Sequence, residues 1–126
     1  MLAGARAVEP SEEERLAASD IAVVGADRIG REGLRALEAA LDGLGSRVGR
    51  VYVHLDLDVL DPAKVGRANE FAPGGGFSAE NLETALGMVR ERFSVAAAGL
   101  ASYDPAFDAD GRVLGAALAC ARVLTA

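Results

Sequence analysis

The sequence predicts an α/β fold: a mainly parallel sheet between helices, in three αβα layers. Three observations lead there. Strand-like apolar stretches alternate with stretches of helical spacing from one end of the chain to the other. The strongest of them, Val51-Tyr52-Val53 with Leu55 and Leu57, is continuously apolar, as strands buried on both faces are. Finally, 126 residues that are 51% hydrophobic and 25% charged provide one core, with no internal repeat or linker to divide it. Residues 1–126 are therefore read as one unit without an internal boundary. Aromatics make up only 5% and Trp is absent, so the core depends on small side chains and close packing of helix on sheet.

Each element has its own signal. Met1 to Ala5 is a short apolar strand, the first of four expected near residues 1–5, 20–25, 51–57 and 95–102. Pro10-Ser11-Glu12-Glu13-Glu14 reads as a helix start, with Ser11 as cap, Glu14 at the capping-box position and acids filling the positive first turn. Asp20 to Val24 is a second strand, ending in Gly25. Leu34, Leu37, Leu41 and Leu44 repeat at helical spacing and predict a helix over 30–45, stopped by Gly45. Ser78 caps the next helix, over 79–92, with Leu82, Leu86, Val89 and Phe93 along one face. Ser94 to Leu100 is a strand of small residues. Val113 to Leu124 is almost wholly apolar and predicts a helix over 111–125 buried on most sides. The sheet is expected to leave apolar strand and helix surface exposed along one edge.

The chemistry concentrates after the third strand, in Asp56-Leu57-Asp58-Val59-Leu60-Asp61-Pro62. Side chains two apart on a strand share a face, which sets Asp56 beside Asp58. Two carboxylates held together at the end of a buried strand repel each other and resist desolvation. A divalent cation between them resolves both costs, and hard oxygen ligands suit Mg²⁺, Mn²⁺ or Ca²⁺ and also serve Zn²⁺. The alternative is a solvated strand end, where Asp and Pro are common. Open parallel sheets bind ligands at the carboxyl ends of their strands, which favours the metal.

Other classes fall away. The net charge is -6, with one Lys against twelve Arg, and no basic stripe or aromatic ladder points to nucleic acid. The single Cys120 rules out a disulfide framework and fits a small buried apolar residue in a reducing compartment. No signal-peptide pattern opens the chain and no apolar run is long enough to span a membrane, so a cytoplasmic location is expected. Pro73-Gly74-Gly75-Gly76 is not a phosphate cradle, because no Lys-Ser/Thr follows it and no strand directly precedes it. A phosphotransferase using Asp56 as nucleophile would need a distant Lys, and the only one is Lys64.

These residues resemble the carboxyl-terminal part of the ureohydrolases, the arginase, agmatinase and formimidoylglutamase superfamily. The shared elements are Asp56-Leu57-Asp58-Val59-Leu60-Asp61-Pro62, then Pro73-Gly74-Gly75-Gly76, then the helix after Ser78. Gly4-Ala5-Arg6 is similar to the family's Gly-x-Arg turn before an acidic helix, and Tyr103-Asp104-Pro105 stands where the family has acid-x-Asn-Pro. The resemblance implies a partial arginase-like fold and hydrolysis of a C–N bond in a guanidino or formimino small molecule, releasing urea or a related amide. It implies two Mn²⁺ ions, with Asp56 bridging them and Asp58 binding one. It also implies an upstream half of the domain as partner, supplying four further ligands, and a homo-oligomer when intact.

The departures are as informative. The family's Gly-Gly-Asp-His and Asp-Ala-His-x-Asp motifs are missing, and the chain holds one His. The isolated chain is therefore expected to be inactive, and a truncated or degenerate domain with weak metal affinity is the competing reading. Ser102 falls where the family has a substrate-facing Glu, and Ser cannot pair with a guanidinium as a carboxylate does. Glu9 is a candidate contact for a substrate amino group, or else an acid at a helix start. Asp61 is expected to support the ligands or to close a turn before Pro62. His54 shares the face of Asp56 and reads as a buried, hydrogen-bonded core histidine rather than a ligand.

Overall fold

A computed structural model describes all of Met1–Ala126. Strands and helices alternate as the patterning implies. Strand β1 (Leu2–Ala3) pairs in parallel with β2 (Val23–Val24), Leu2 facing Val23. Strand β3 (Arg50–Asp56) pairs in parallel with β4 (Ser94–Ala101), from Arg50 opposite Ser94 to Asp56 opposite Ala101. All pairing is parallel, but the four strands do not form one sheet. They make two separate two-stranded sheets.

Between the two sheets runs an apolar groove of about 410 Å³. Leu2 and Ala3 form one lip, and every residue from Val51 to Asp56 lines the other. Neighbouring residues of a strand point to opposite faces, so six consecutive lining residues mean that the groove follows the edge of β3. Leu41, Leu82 and Leu86 close its floor.

The helices are α1 (Pro10–Ala17), α2 (Ala26–Glu32), α3 (Arg35–Gly45), α4 (Ala79–Arg92) and α5 (Arg112–Thr125). Three details differ from the expectations. Glu9, not Ser11, occupies the cap of α1: Pro10 supplies the preset φ of the first turn, and the Glu9 N–H donates to Glu12 Oε2 at 3.0 Å. The helix expected over 30–45 is two helices, broken where Gly33 adopts φ 66°. In α5, Val113, Ala116, Ala117, Cys120 and Leu124 are buried, but Leu114 and Leu118 stand 43% and 52% exposed. That helix is buried on one face, because the chain offers nothing to cover the other.

Leu37 and Leu41 of α3, Leu82 and Leu86 of α4, and Val113 and Cys120 of α5 share one core with Leu55 and Phe93. Each large apolar side chain buried there stabilises the fold by about 1.5–3 kcal/mol. Arg92 reaches Asp42 at 2.8 Å and Arg90 donates to the Val123 carbonyl at 2.9 Å, tying α4 to α3 and to α5. No helix is long and apolar enough to cross a membrane.

Candidate metal centre

Strand β3 ends at Asp56, one residue earlier than expected, because the Asp56 side chain caps a short 3-10 turn over Leu57–Val59. Asp56 Oδ1 accepts the Asp58 N–H at 3.2 Å. It is this turn, rather than the strand pleat, that brings Asp58 back beside Asp56. Both are half-buried. Burial pushes the Asp58 carboxyl above its ordinary value of 3.8, the charge of Asp56 and a shared hydrogen bond push it further, and Arg6 draws it back without prevailing. Two acids are thus held in mutual repulsion at the carboxyl end of a parallel strand.

Arg6 fixes this turn from behind. Its Nη1 donates to the carbonyls of Gly4 at 3.3 Å and Val59 at 3.4 Å. Its Nη2 donates to the carbonyl of Asp58 and, at 3.3 Å, to that of Pro73. The Gly-rich loop closes over the same point. Phe77 N–H donates to the Val59 carbonyl at 2.9 Å, and Asp61 N–H to the Phe77 carbonyl at 2.8 Å. Gly76 sits here at φ +112°, where a Cβ would strike the Val59 carbonyl and lie 3.1 Å from Arg6 Nη1. Only glycine fits both demands.

The other candidates are placed as follows. Asp61 is buried, accepts the Ala63 N–H at 3.0 Å and meets Lys64 Nζ at 3.5 Å, so its side chain closes the turn after Pro62. His54 is exposed, which corrects the expectation of a buried core histidine. It shares a face with Tyr52, 62% exposed, and no helix of this chain covers that face of β3. Glu9 is exposed and serves the first turn of α1. Ser102 is exposed and directly follows Ala101, the residue registered against Asp56. It adopts φ 63°, rare for a residue with a Cβ, and its carbonyl accepts from Asn69 Nδ2 at 2.8 Å.

Two supports of this end of the sheet escape a reading of the sequence alone. One is Arg6, whose type and position are legible but whose target carbonyls are not. The other is Asp108, buried ahead of α5, which accepts from Val113 N at 3.0 Å, Leu114 N at 2.8 Å and the Tyr103 hydroxyl at 3.1 Å. Burial alone would raise the Asp108 carboxyl, and the donated hydrogen bonds outweigh it and hold it below the ordinary range. An acid shortly before an apolar helix is the signal that could have found it.

As a donor set, Asp56 and Asp58 fit a hard divalent cation in kind and fall short in number. No group of three or more His, Cys, Asp or Glu side chains converges anywhere in the chain to hold an ion. Mn²⁺ and its relatives take about six ligands, so these two residues alone would supply a minority of such a shell.

Comparison with known proteins bears on this geometry. The model of the arginase family matches residues 1–125. An arginase of Agrobacterium fabrum is 34% identical over 110 residues, covering 86% of this chain and 34% of that protein. The crystal structure of arginase from Bacillus subtilis superposes with a TM-score of 0.86 at 26% identity, over 97% of this chain and 43% of the other. Formimidoylglutamase from the same species, at 18% identity and a TM-score of 0.83, shares the fold. The chain spans about a third of the length of the curated relative it matches.

Proposed function

Because the chain belongs to the arginase family and has its partial αβα fold, we propose that it contributes Asp56 and Asp58 to a binuclear manganese centre. The reaction is hydrolysis of a C–N bond in a linear amidine or guanidine, releasing urea or a related amide. The observation that carries this reading is the half-buried, mutually repelling acid pair at the carboxyl end of β3, in a turn clamped by Arg6 and the Gly-rich loop. When bound, the metal pair supplies the acidity that makes water a nucleophile near neutral pH. Asp56 and Asp58 would hold the metal, Asp56 serving both ions and Asp58 one of them. Asp61 and His54 support them, Asp61 by holding the following turn and His54 from the same face of the strand.

The chain is read as the carboxyl-terminal part of an arginase-like domain, with no internal boundary. Its partner in catalysis is the upstream part of that domain, which brings the missing ligands, and the assembled enzyme is a cytoplasmic homo-oligomer. The unpaired edges of β1 and β3 and the apolar groove between them support such a partner. The buried thiol of Cys120, pushed up to about 11 chiefly by burial, is unreactive and fits the reducing compartment.

Ser102, beside Asp56 through its neighbour Ala101, disfavours L-arginine relative to another guanidino or formimino substrate. Ser102→Glu in the assembled enzyme shifts preference towards arginine. Glu9 is the second candidate substrate contact.

The test is calorimetric titration of the chain with Mn²⁺ alongside a urea-release assay. One weakly bound ion, lost in Asp56→Ala, and no turnover by the chain alone are expected. Tight binding of two ions, or turnover without a partner, would overturn the partial-site reading. Absence of any Mn²⁺ binding at millimolar concentration would favour the degenerate, non-catalytic domain instead.

A further inference from the structure

We infer that Arg6 is the positioning residue of the acid-bearing turn: its guanidinium holds the backbone of Asp58 and Val59 in place and so sets where the Asp58 carboxylate points. The 3-10 turn over Leu57–Val59 has little to hold it by itself. It is a single short turn, closed at its end by Leu60 N–H donating to the Leu57 carbonyl at 3.2 Å. The carbonyls at the end of such a turn have no partner within it. Arg6 takes two of them, those of Asp58 and Val59. With its remaining donors it takes the carbonyls of Gly4, just after β1, and Pro73, in the Gly-rich loop.

One planar fork therefore joins three segments that are far apart in sequence. A lysine cannot do this, since a single ammonium on a flexible stem lacks the fixed fork of donors. The arrangement also leaves the Arg6 Nε–H buried without an acceptor. An unpaired buried donor costs about 1–3 kcal/mol. The side chain stays because its four carbonyl contacts outweigh that cost, so the guanidinium is dedicated to the turn. Arg6 donates only to carbonyls here, so its part is to place Asp58 rather than to bind a metal. The positioning stands on these contacts alone; its consequence for Mn²⁺ rests on the reading of Asp56 and Asp58 as ligands.

The experiment compares the chain with Arg6→Met and Arg6→Lys by amide hydrogen exchange without metal, then by Mn²⁺-induced broadening of amide resonances. Without metal, exchange at Asp61 and Phe77, which bond across the turn and loop, should rise by about tenfold or more in both variants. Val53 and Leu55 in β3 and Leu86 in α4 should change by less than about threefold. Equal protection of Asp61 and Phe77 in all three proteins would overturn the inference, as would a uniform loss across the chain. If Arg6→Met does not fold, Arg6→Lys decides by the same criterion. With Mn²⁺, broadening in the parent chain should centre on residues 56–58 and weaken at Asp58 in the variants. If the parent chain shows no broadening there, the ligand reading fails, while the exchange data still decide the role of Arg6.

Discussion

Replacing Asp58 by Asn should make the metal-free chain more stable at pH 7, although it deletes the more perturbed of the two acids. Asn keeps the shape and the backbone N–H that Asp56 Oδ1 accepts at 3.2 Å. It removes a charge that burial and Asp56 both disfavour. For two unit charges about 4 Å apart, Coulomb's law gives about 1 kcal/mol in water and about 4 at an effective dielectric constant of 20. Both side chains are half-exposed, so screening places the gain near the lower figure, about 1 kcal/mol. With a urea dependence of about 2 kcal/mol per molar, the unfolding midpoint should rise by about 0.5 M.

The pH dependence follows from the direction of the shift. The folded chain holds the Asp58 proton more tightly than the unfolded one, so the cost of ionised Asp58 is fully present above its folded pKa. It vanishes as pH falls through that value towards 3.8, and the advantage of the variant should shrink with it. Saturating Mn²⁺ should stabilise the parent chain more than the variant and close the gap from the other side. The assay is urea unfolding followed by circular dichroism in chelator-treated buffer. A variant less stable than the parent chain at pH 7 would refute the reasoning, because it would show that Arg6 and the turn attract the Asp58 charge more than Asp56 repels it.

Asp108→Ala should destabilise the chain by about 2 kcal/mol, because the Val113 and Leu114 N–H groups in the first turn of α5 lose their acceptor and Tyr103 its partner. Since Asp108 is held below its ordinary pKa, its contribution is present above 3.8 and lost as pH falls through the folded value; unfolding at pH 7 and in acid checks this. Gly76→Ala should cost about 2 kcal/mol or more, since it combines φ +112° with a clash on the Val59 carbonyl. An unchanged thermal midpoint would show that the loop yields freely. Ser102→Gly should stabilise the chain by about 0.5 kcal/mol, the relief of a left-handed backbone less the added chain entropy of glycine, read by the same unfolding assay.

How much of this was legible in the sequence follows the range of the interactions. Helix α4 falls where Ser78 and the spacing of Leu82 and Leu86 put it, because cap and periodicity are local. The break at Gly33 is not legible because the leucine period begins only at Leu34 and carries no signal of a separate helix before it; only backbone geometry shows the positive φ. The acid pair was legible as a pair, but the turn that joins it depends on Arg6, 52 residues from Asp58. Spacing cannot reveal a contact of that separation. His54 went wrong for a related reason: alternation gave its face correctly, but whether a helix covers that face depends on the rest of the fold.

On the proposed reading, the free strand edges and the incomplete ligand set have one origin. The groove between β1 and β3 runs along the edge of β3 as far as Asp56, and Asp56, Val59 and Phe77 are among its lining residues. A strand laid into it parallel to both lips would pair with the free edges of β1 and β3, and its carboxyl end would arrive beside Asp56. On the same reading, residues just beyond that end would supply the further ligands of a shell around Asp56 and Asp58. Filling the groove and cancelling the repulsion of the two acids are then a single event. On that argument, metal affinity should rise when a partner segment occupies the groove. A charged residue placed on its lip, as in Leu2→Arg, should weaken that rise and leave the weak intrinsic binding of the chain untouched, because Leu2 is exposed and lies outside the acid pair.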